Sequence, residues 1–416
     1  MRSILLVCIA ALLCMSIFAM PAAAKTWYVD DDGGKDYTSI KDAINGASPG
    51  DIIYVYAGTY GKFDVFIPYL TIMGEGADVV TISWNNDEGI CIPRGGGTSD
   101  ATGTVIDGFT ITNPDYGNGL RIGVYGSASD VIIRNCILHN IDYYIEAGDE
   151  GSDNVKFENN IIELVGEEAG LYWIGDHFTF RNNTIRNSAN LPGNGLIHAG
   201  GPNAIVEGNT FTNTLSPALV IAWADNSTFT LNHIEGDNNE GDISFFEPGS
   251  PVIYGNDFIN VSFQNLWEWT GDFTGSFTSS NPVDYTYNGV SYSKVMGNYW
   301  SDYTGIDADG DGIGDSAYTI PNGYGIDTAP LMQPISFYTF GGGSTPSTPV
   351  AEFSGTPTSG TAPLTVTFTD ESTNDPTSWA WDFGDGDSTN ATMQNPVHTY
   401  ASAGTYSVTL TATNAA

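Results

Sequence analysis

Between Thr104 and Asn260 one short phrase returns seven times: VIDGFTITN, IIRNCILHN, KFENNIIEL, TFRNNTIRN, IVEGNTFTN, FTLNHIEG and VIYGNDFIN. Aligned on the residue after the bend, the phrases give an anchor column of Phe109, Cys136, Asn160, Asn183, Asn209, Asn232 and Asn256, spaced by 27, 24, 23, 26, 23 and 24 residues. Three residues before the anchor stand Ile106, Ile133, Phe157, Phe180, Val206, Phe229 and Ile253. Two residues after it stand Ile111, Leu138, Ile162, Ile185, Phe211, Ile234 and Phe258. Both columns are wholly apolar, and period-2 alternation of β-branched and aromatic residues reads as a short half-buried strand. A strand that recurs at this interval predicts one coil per repeat, each stacked in parallel on the last.

A second apolar strand in each coil leads with Ile90, Leu120, Tyr144, Leu171, Leu196, Leu219, Ile243 and Leu266, at the same period. Two independent columns with one period predict an all-β fold, a parallel β-helix of about eight coils. Asn in the anchor column, and again four residues on at Asn113, Asn140, Asn187, Asn213 and Asn260, predicts two corners. Asn tolerates the left-handed backbone of a sharp bend, and stacked amides bond from coil to coil. Two residues before the anchor, Asp107, Arg134, Glu158, Arg181 and Glu207 alternate in sign. Opposite charges on neighbouring rungs form an outward ladder that is structural rather than a site.

The chain opens with an apolar run from Ile4 to Met20 and Pro-Ala-Ala-Ala before Lys25, a secretory signal over residues 1–24. No other run is long enough to span a membrane. Beyond that signal the cysteines are Cys91 and Cys136, so no disulfide framework is expected, and Cys136 reads as a buried thiol. The formal charge of −37, from 49 acids against 12 basic residues, argues against nucleic acid as a partner and suits a secreted, solvated protein. Asn182, Asn226, Asn260 and Asn390 head glycosylation sequons.

Residues 25–60 read as an N-terminal cap. A short amphipathic segment over Ser39–Ala47, with Ile40, Ala43 and Ile44 on one face, is placed to cover the open end of the coil stack. From DIIYVYAGTY through YLTIMGEG the chain resembles the cap and first coil of right-handed β-helix proteins of the pectin-lyase-like superfamily. Coils follow over residues 61–270, then a C-terminal cap over 271–334. In that cap Asp307, Asp309, Asp311 and Asp315, interleaved with Gly310 and Gly312, make an oxygen-rich turning loop of the kind that holds Ca²⁺; an acidic turn without an ion is the alternative. Tyr318 stands where an EF-hand needs a glutamate.

The stretch GNYWSDYTGIDADGDGIGD resembles the tail signature of the carbohydrate-binding and sugar-hydrolase, or NosD-like, β-helix family, which is abundant in surface proteins of methanogenic archaea. That resemblance spans most of residues 25–334 and implies a secreted or cell-surface protein. Copper, suggested by the family's other name, finds no support, because His139, His177, His198 and His233 are scattered. Residues 335–349, with GGGSTPSTP, read as a linker. Residues 350–416, with PLTVTFTD, WAWDFGDG and HTYASAGTYSVTLTATN, resemble the PKD domain, a seven-stranded immunoglobulin-like sandwich found on secreted glycan-active and archaeal surface proteins. Its Trp379, Trp381 and Asp382–Gly386 turn read as structural.

Chemistry is expected in the variable segments around the second strand. Tyr172, Trp173, His198, Trp223, Trp267 and Trp269 are candidates for stacking on sugar rings, and Glu146, Arg121, Glu167 and Glu168 for catalysis. Glu146, Trp173 and His198 are expected at one place in successive coils, lining a groove if that face is outward and packing the core if strict alternation from Leu171 and Leu196 turns them inward. Two functions follow. One is a non-catalytic surface protein that binds or presents polysaccharide or envelope glycoprotein in adhesion, with self-association a further candidate contact. The other is a polysaccharide lyase with Arg121 as base, or a glycoside hydrolase pairing Glu146 with Glu167 or Glu168.

Overall fold

The structure, a computed structural model, describes residues 24–85, 90–92, 100–113, 120–122, 128–141, 144–147, 152–164, 170–173, 175–187, 196–199, 201–212, 219–236, 242–246, 249–265, 273–340, 350–370, 372, 378–386 and 396–413. The signal segment, Leu266, the 341–349 linker, Asn213 and Asn390 lie outside them. The chain divides into two compact units, one of Met1–Thr278, Gly297–Thr304 and Ala317–Pro330, the other of Ser279–Met296, Gly305–Ser316 and Leu331–Ala416.

The first unit is a parallel β-helix with three strands per coil. Each sequence phrase, expected as one strand, is two strands with a bend between them, as in Thr179–Arg181 and Thr184–Asn187, and the independent strand is Leu196–Ala199. Stacking yields three parallel sheets of ten, ten and eight strands. Register keeps the apolar columns together: Phe157, Phe180 and Val206 pair in the first sheet, Ile162, Ile185 and Phe211 in the second. All six are at most 1% exposed. Fully burying each such side chain is worth roughly 1.5–3 kcal/mol, so the repeated columns are the main drive for stacking.

The bend explains the anchor. The left-handed residue is the one before it: Gly108, Asn135, Asn159, Asn182, Gly208, Leu231 and Gly255 have φ from 53° to 79°. The anchor amide turns inward. Asn160, Asn183, Asn209, Asn232 and Asn256, each 1% exposed, form a directional ladder in which every Nδ2 donates to the Oδ1 of the next coil's Asn. Each Nδ2 also donates to a backbone carbonyl of the preceding coil, as Asn209 does to Phe180 at 2.7 Å. The ladder passes through Asn298 and ends on Asp327, an acceptor-only carboxylate that suits a chain of donors all pointing one way. Asp327 is 0% exposed and also accepts from the Asn298 N–H, the Trp300 indole and the Ala329 N–H. Burial pushes its carboxyl up to about 6 against the pull of those four hydrogen bonds.

The second corner is not where the second Asn column placed it. Asn113 is buried, Asn140 and Asn187 lie inside strands, and of that column only Asn260 has a left-handed φ, 51°, among the described residues. The corner instead precedes the first sheet, at Asp130, Asn154, His177, Asn203 and Asn226, with φ of 57° to 59°. It is stitched by side-chain amides, Asn154 to Asp130 at 2.6 Å and Asn203 to Asp176 at 2.8 Å. A polar residue that ends a strand and one that sits at a corner look alike in sequence.

Three smaller expectations hold. The charge ladder is in register, with Arg134 Nε 2.8 Å from Asp107 and Arg181 Nε 2.9 Å from Glu207. The N-terminal cap carries a helix at Ile40–Gly46, started by Ser39 accepting the Asp42 N–H, with Ile40, Ala43 and Ile44 buried. Cys136 is 1% exposed and burial pushes its thiol up to about 12.

In the second unit a hairpin, Val283–Tyr287 with Val290–Lys294, is joined by Tyr338–Phe340, a segment the composition assigned to the linker. Alternate Tyr residues, not glycine-rich composition, decide that pairing: Tyr287 and Tyr338 stack at 4.9 Å. The C-terminal sandwich pairs Phe353–Thr356, Leu364–Asp370 and Val397–Tyr400 in one sheet and Ser378–Asp382 with Thr409–Thr413 in the other. Five strands are thus described where seven were expected. Its core is Val366, Phe368, Trp381, Phe383 and Tyr400, and Trp379 donates its indole N–H to Asp370.

Candidate functional site

The third sheet carries the residues expected to do chemistry, and register sorts them. Arg121 pairs with Glu146, Glu146 with Tyr172, and Tyr172 with His198, so these four occupy one row on consecutive rungs. Trp173 does not belong with them. It pairs with Ala147 and Ala199, and that row continues through Ile221 and Phe245, each 2% exposed against the core.

The count from Leu196 was off by one residue. Leu171 pairs with Ile197, which pairs with buried Leu219, while Leu196 pairs with Gly170. The lead column is therefore Ile90, Leu120, Ile145, Leu171, Ile197, Leu219, Ile243 and Phe263, with Ile145, Ile197 and Phe263 in place of Tyr144, Leu196 and Leu266. Along each strand the Arg121–His198 row lies between the two core rows. It is bounded at its ends: Cys91, the rung before Arg121, is 5% exposed, and Ser244, two rungs past His198, is 0% exposed. Trp223 follows the Leu219–Ala222 strand, half-buried at a left-handed φ of 47°. Glu167, Glu168, Trp267 and Trp269 lie outside the described residues.

The Asp-rich loop brings Asp307, Asp309 and Asp311 together, with a carboxylate oxygen of each within 4.8 Å of the others. Asp315 is exposed and not among them; it accepts the Ala308 N–H at 2.9 Å and so closes the loop. The sequence reading overlooked Lys294. Its ammonium donates to Asp309 at 3.0 Å and to Asp311, which is 3% exposed. Those bonds, Asp311 first, raise the Lys294 pKa, and Lys294 holds the Asp309 carboxyl below its ordinary value. Asp307 accepts the N–H groups of Gly310, Asp311 and Gly312, and tyrosine hydroxyls of Tyr292, Tyr285 and Tyr338 occupy the carbonyls of the same three residues. A lone lysine in the otherwise acidic cap was the available sequence signal.

A further titratable pair lies on the second sheet. His233 Nδ1 is 3.1 Å from the Asp257 carboxylate, 2% exposed, and that bond raises the His233 pKa.

The profile of a family described as "Periplasmic copper-binding protein (NosD)" matches residues 80–305, and that of the PKD domain matches residues 346–416. No curated protein matches the chain. Solved structures similar to it include the pectin methylesterase of Aspergillus niger, at 14% identity and a TM-score of 0.35 over 62% of this chain and 91% of that one. The carrot pectin methylesterase matches at 13% identity and 0.35, over 62% and 87%. The A-module of a mannuronan C-5 epimerase from Azotobacter vinelandii matches at 15% and 0.32, over 54% and 69%. Likenesses this distant carry no argument about activity.

Proposed function

This chain belongs to the NosD family of periplasmic β-helix proteins, and from that premise we propose that it is an exported protein that holds extracellular polysaccharide or envelope glycoprotein along the Arg121–His198 row of its third sheet. The observation that carries this reading is the row itself. Four consecutive rungs, roughly 4.8 Å apart, carry Arg121, Glu146, Tyr172 and His198. In one row of the first sheet, by contrast, Arg134 is paired with Asp107 and Arg181 with Glu207. Phenol faces stack on sugar rings, while carboxylate and imidazole bond hydroxyls. A guanidinium matches the planar carboxylate of an acidic sugar. Among the described residues no helix is long and apolar enough to cross a membrane, which is compatible with export.

The test is binding of the full chain to a panel of neutral and uronate-containing glycans. Tyr172→Ala and Arg121→Ala are expected to weaken the best ligand at least tenfold, and binding unchanged in both would refute the row. The placement of Arg121 one rung from Glu146 also favours a second reading, a β-eliminating lyase in which Arg121 takes the proton. Ultraviolet absorbance of unsaturated product, lost in Arg121→Ala, distinguishes it from simple binding.

Calcium at Asp307, Asp309 and Asp311 is part of the same proposal. Hard carboxylate oxygens this close suit Ca²⁺, and binding there requires Lys294 to leave Asp309 and Asp311.

A further inference from the structure

We infer that this chain departs from the copper-binding description attached to its family, because the coil register holds its imidazole and sulfur donors apart. A copper site collects several soft or imidazole donors around one ion, so in a β-helix those donors must sit on the same or adjacent rungs of one face. The sequence contains five histidines, four cysteines and seven methionines. Among the described residues of the coil stack they are distributed one to a place.

His139 and His233 are both in the second sheet, but in different rows, His139 opposite Thr112 and His233 opposite Thr210. Three strands separate their own, a distance of roughly 19 Å at 4.8 Å per rung. His198 is in the third sheet opposite Tyr172 and Val220. His177 is at a corner, 2.9 Å from Asp176. Cys136 is three residues from His139 but on the other side of the wall. Its thiol is 1% exposed and 3.1 Å from the Arg134 carbonyl, on the core side with Leu138, whereas His139 is half-buried. Burial that pushes this thiol up to about 12 also opposes the thiolate a metal needs. Cys91 starts the third sheet, opposite Arg121, and Met73 is in the first sheet, opposite Tyr54 and Asp107. In the C-terminal sandwich His398, 3% exposed, is held by Asp385 at 2.7 Å and stacked on Phe383 at 4.0 Å. The described residues gather three ligand groups only at the Asp loop, and those are carboxylates, which suit hard cations over copper.

The test is metal retention by the full chain. The protein is loaded with Cu(II) or, under reductant, Cu(I), passed over a competing chelator, and its copper content measured. The Cu(II) sample is also read by electron paramagnetic resonance. The expected result is copper far below one ion per chain, with a spectrum no different in His139→Ala, His177→Ala, His198→Ala or His233→Ala. One ion retained per chain, or per bridged pair of chains, would overturn the inference. So would a nitrogen-coupled signal abolished by the double change His177→Ala with His198→Ala, the pair whose elements lie closest along the chain.

Discussion

Asn209→Ala measures what the inner amide ladder is worth. The Asn209 side chain is 1% exposed and makes four hydrogen bonds. Its Oδ1 accepts from the Asn183 N–H at 2.8 Å and the Asn183 Nδ2 at 3.1 Å, and its Nδ2 donates to the Phe180 carbonyl at 2.7 Å and to Asn232 Oδ1 at 2.9 Å. Two of these partners keep another bond after truncation: Asn183 Nδ2 retains the Phe157 carbonyl, and Asn232 Oδ1 retains the Asn209 N–H. The Asn183 N–H is stranded in the wall, whereas the Phe180 carbonyl stays within the strand pairing of its sheet. A buried orphan costs about 1–3 kcal/mol, so the substitution should destabilise the unit by about that much. Urea denaturation at constant slope reads the loss, and hydrogen exchange at Asn183 should accelerate by the corresponding factor. The control is Glu207→Ala on the same coil, which breaks the half-exposed pair with Arg181 and should cost less than about 1 kcal/mol. If Asn209→Ala costs no more than the control, the ladder is not what holds neighbouring coils in register.

Other predictions follow from single positions. Leu231 is the one bulky residue in the left-handed column before the anchors, at φ 58°, where the other six are Gly or Asn. Leu231→Asn should therefore stabilise the protein by about 1 kcal/mol, read as a higher urea midpoint. Asp327, raised in the fold from 3.8 to about 6, binds its proton more tightly folded than unfolded. Its stabilising share is full below pH 3.8 and is lost as pH rises through 6, a swing of up to about 3 kcal/mol. Between pH 4 and 7 the stability of the native chain should fall relative to Asp327→Asn, and parallel profiles would show that the buried carboxylate does not titrate there. For the Asp loop, calorimetry should show Ca²⁺ binding that strengthens in Lys294→Ala and disappears in Asp309→Ala with Asp311→Ala. No heat in any of the three would remove the calcium proposal.

The repeat, the parallel stacking, the alternating charges, the capping helix and the C-terminal sandwich were all legible in the chain. Each follows from local chemistry repeated in order: apolar residues at constant offsets from an anchor, opposite charges at one offset, and a helix N-cap at Ser39 before an apolar stripe. Period and offset survive any uncertainty about where a strand begins.

Register does not survive it, and the candidate site depends on register. One residue separates Leu196 from Ile197, and that residue decides whether His198 shares a row with Tyr172 and Glu146 or with the core. Only the stacked hydrogen bonds between coils set that pairing, which is why Trp173 left the row and Tyr172 entered it beside Glu146. The same holds for Lys294 on the Asp loop and Asp327 at the end of the ladder. Their partners, Asp311 and Asn298, are 17 and 29 residues away in the chain, and no repeat announces them. The sequence by itself determined the scaffold, because its information is periodic. The tertiary structure decided which side chains meet, because the few contacts that close a site or a cap occur once.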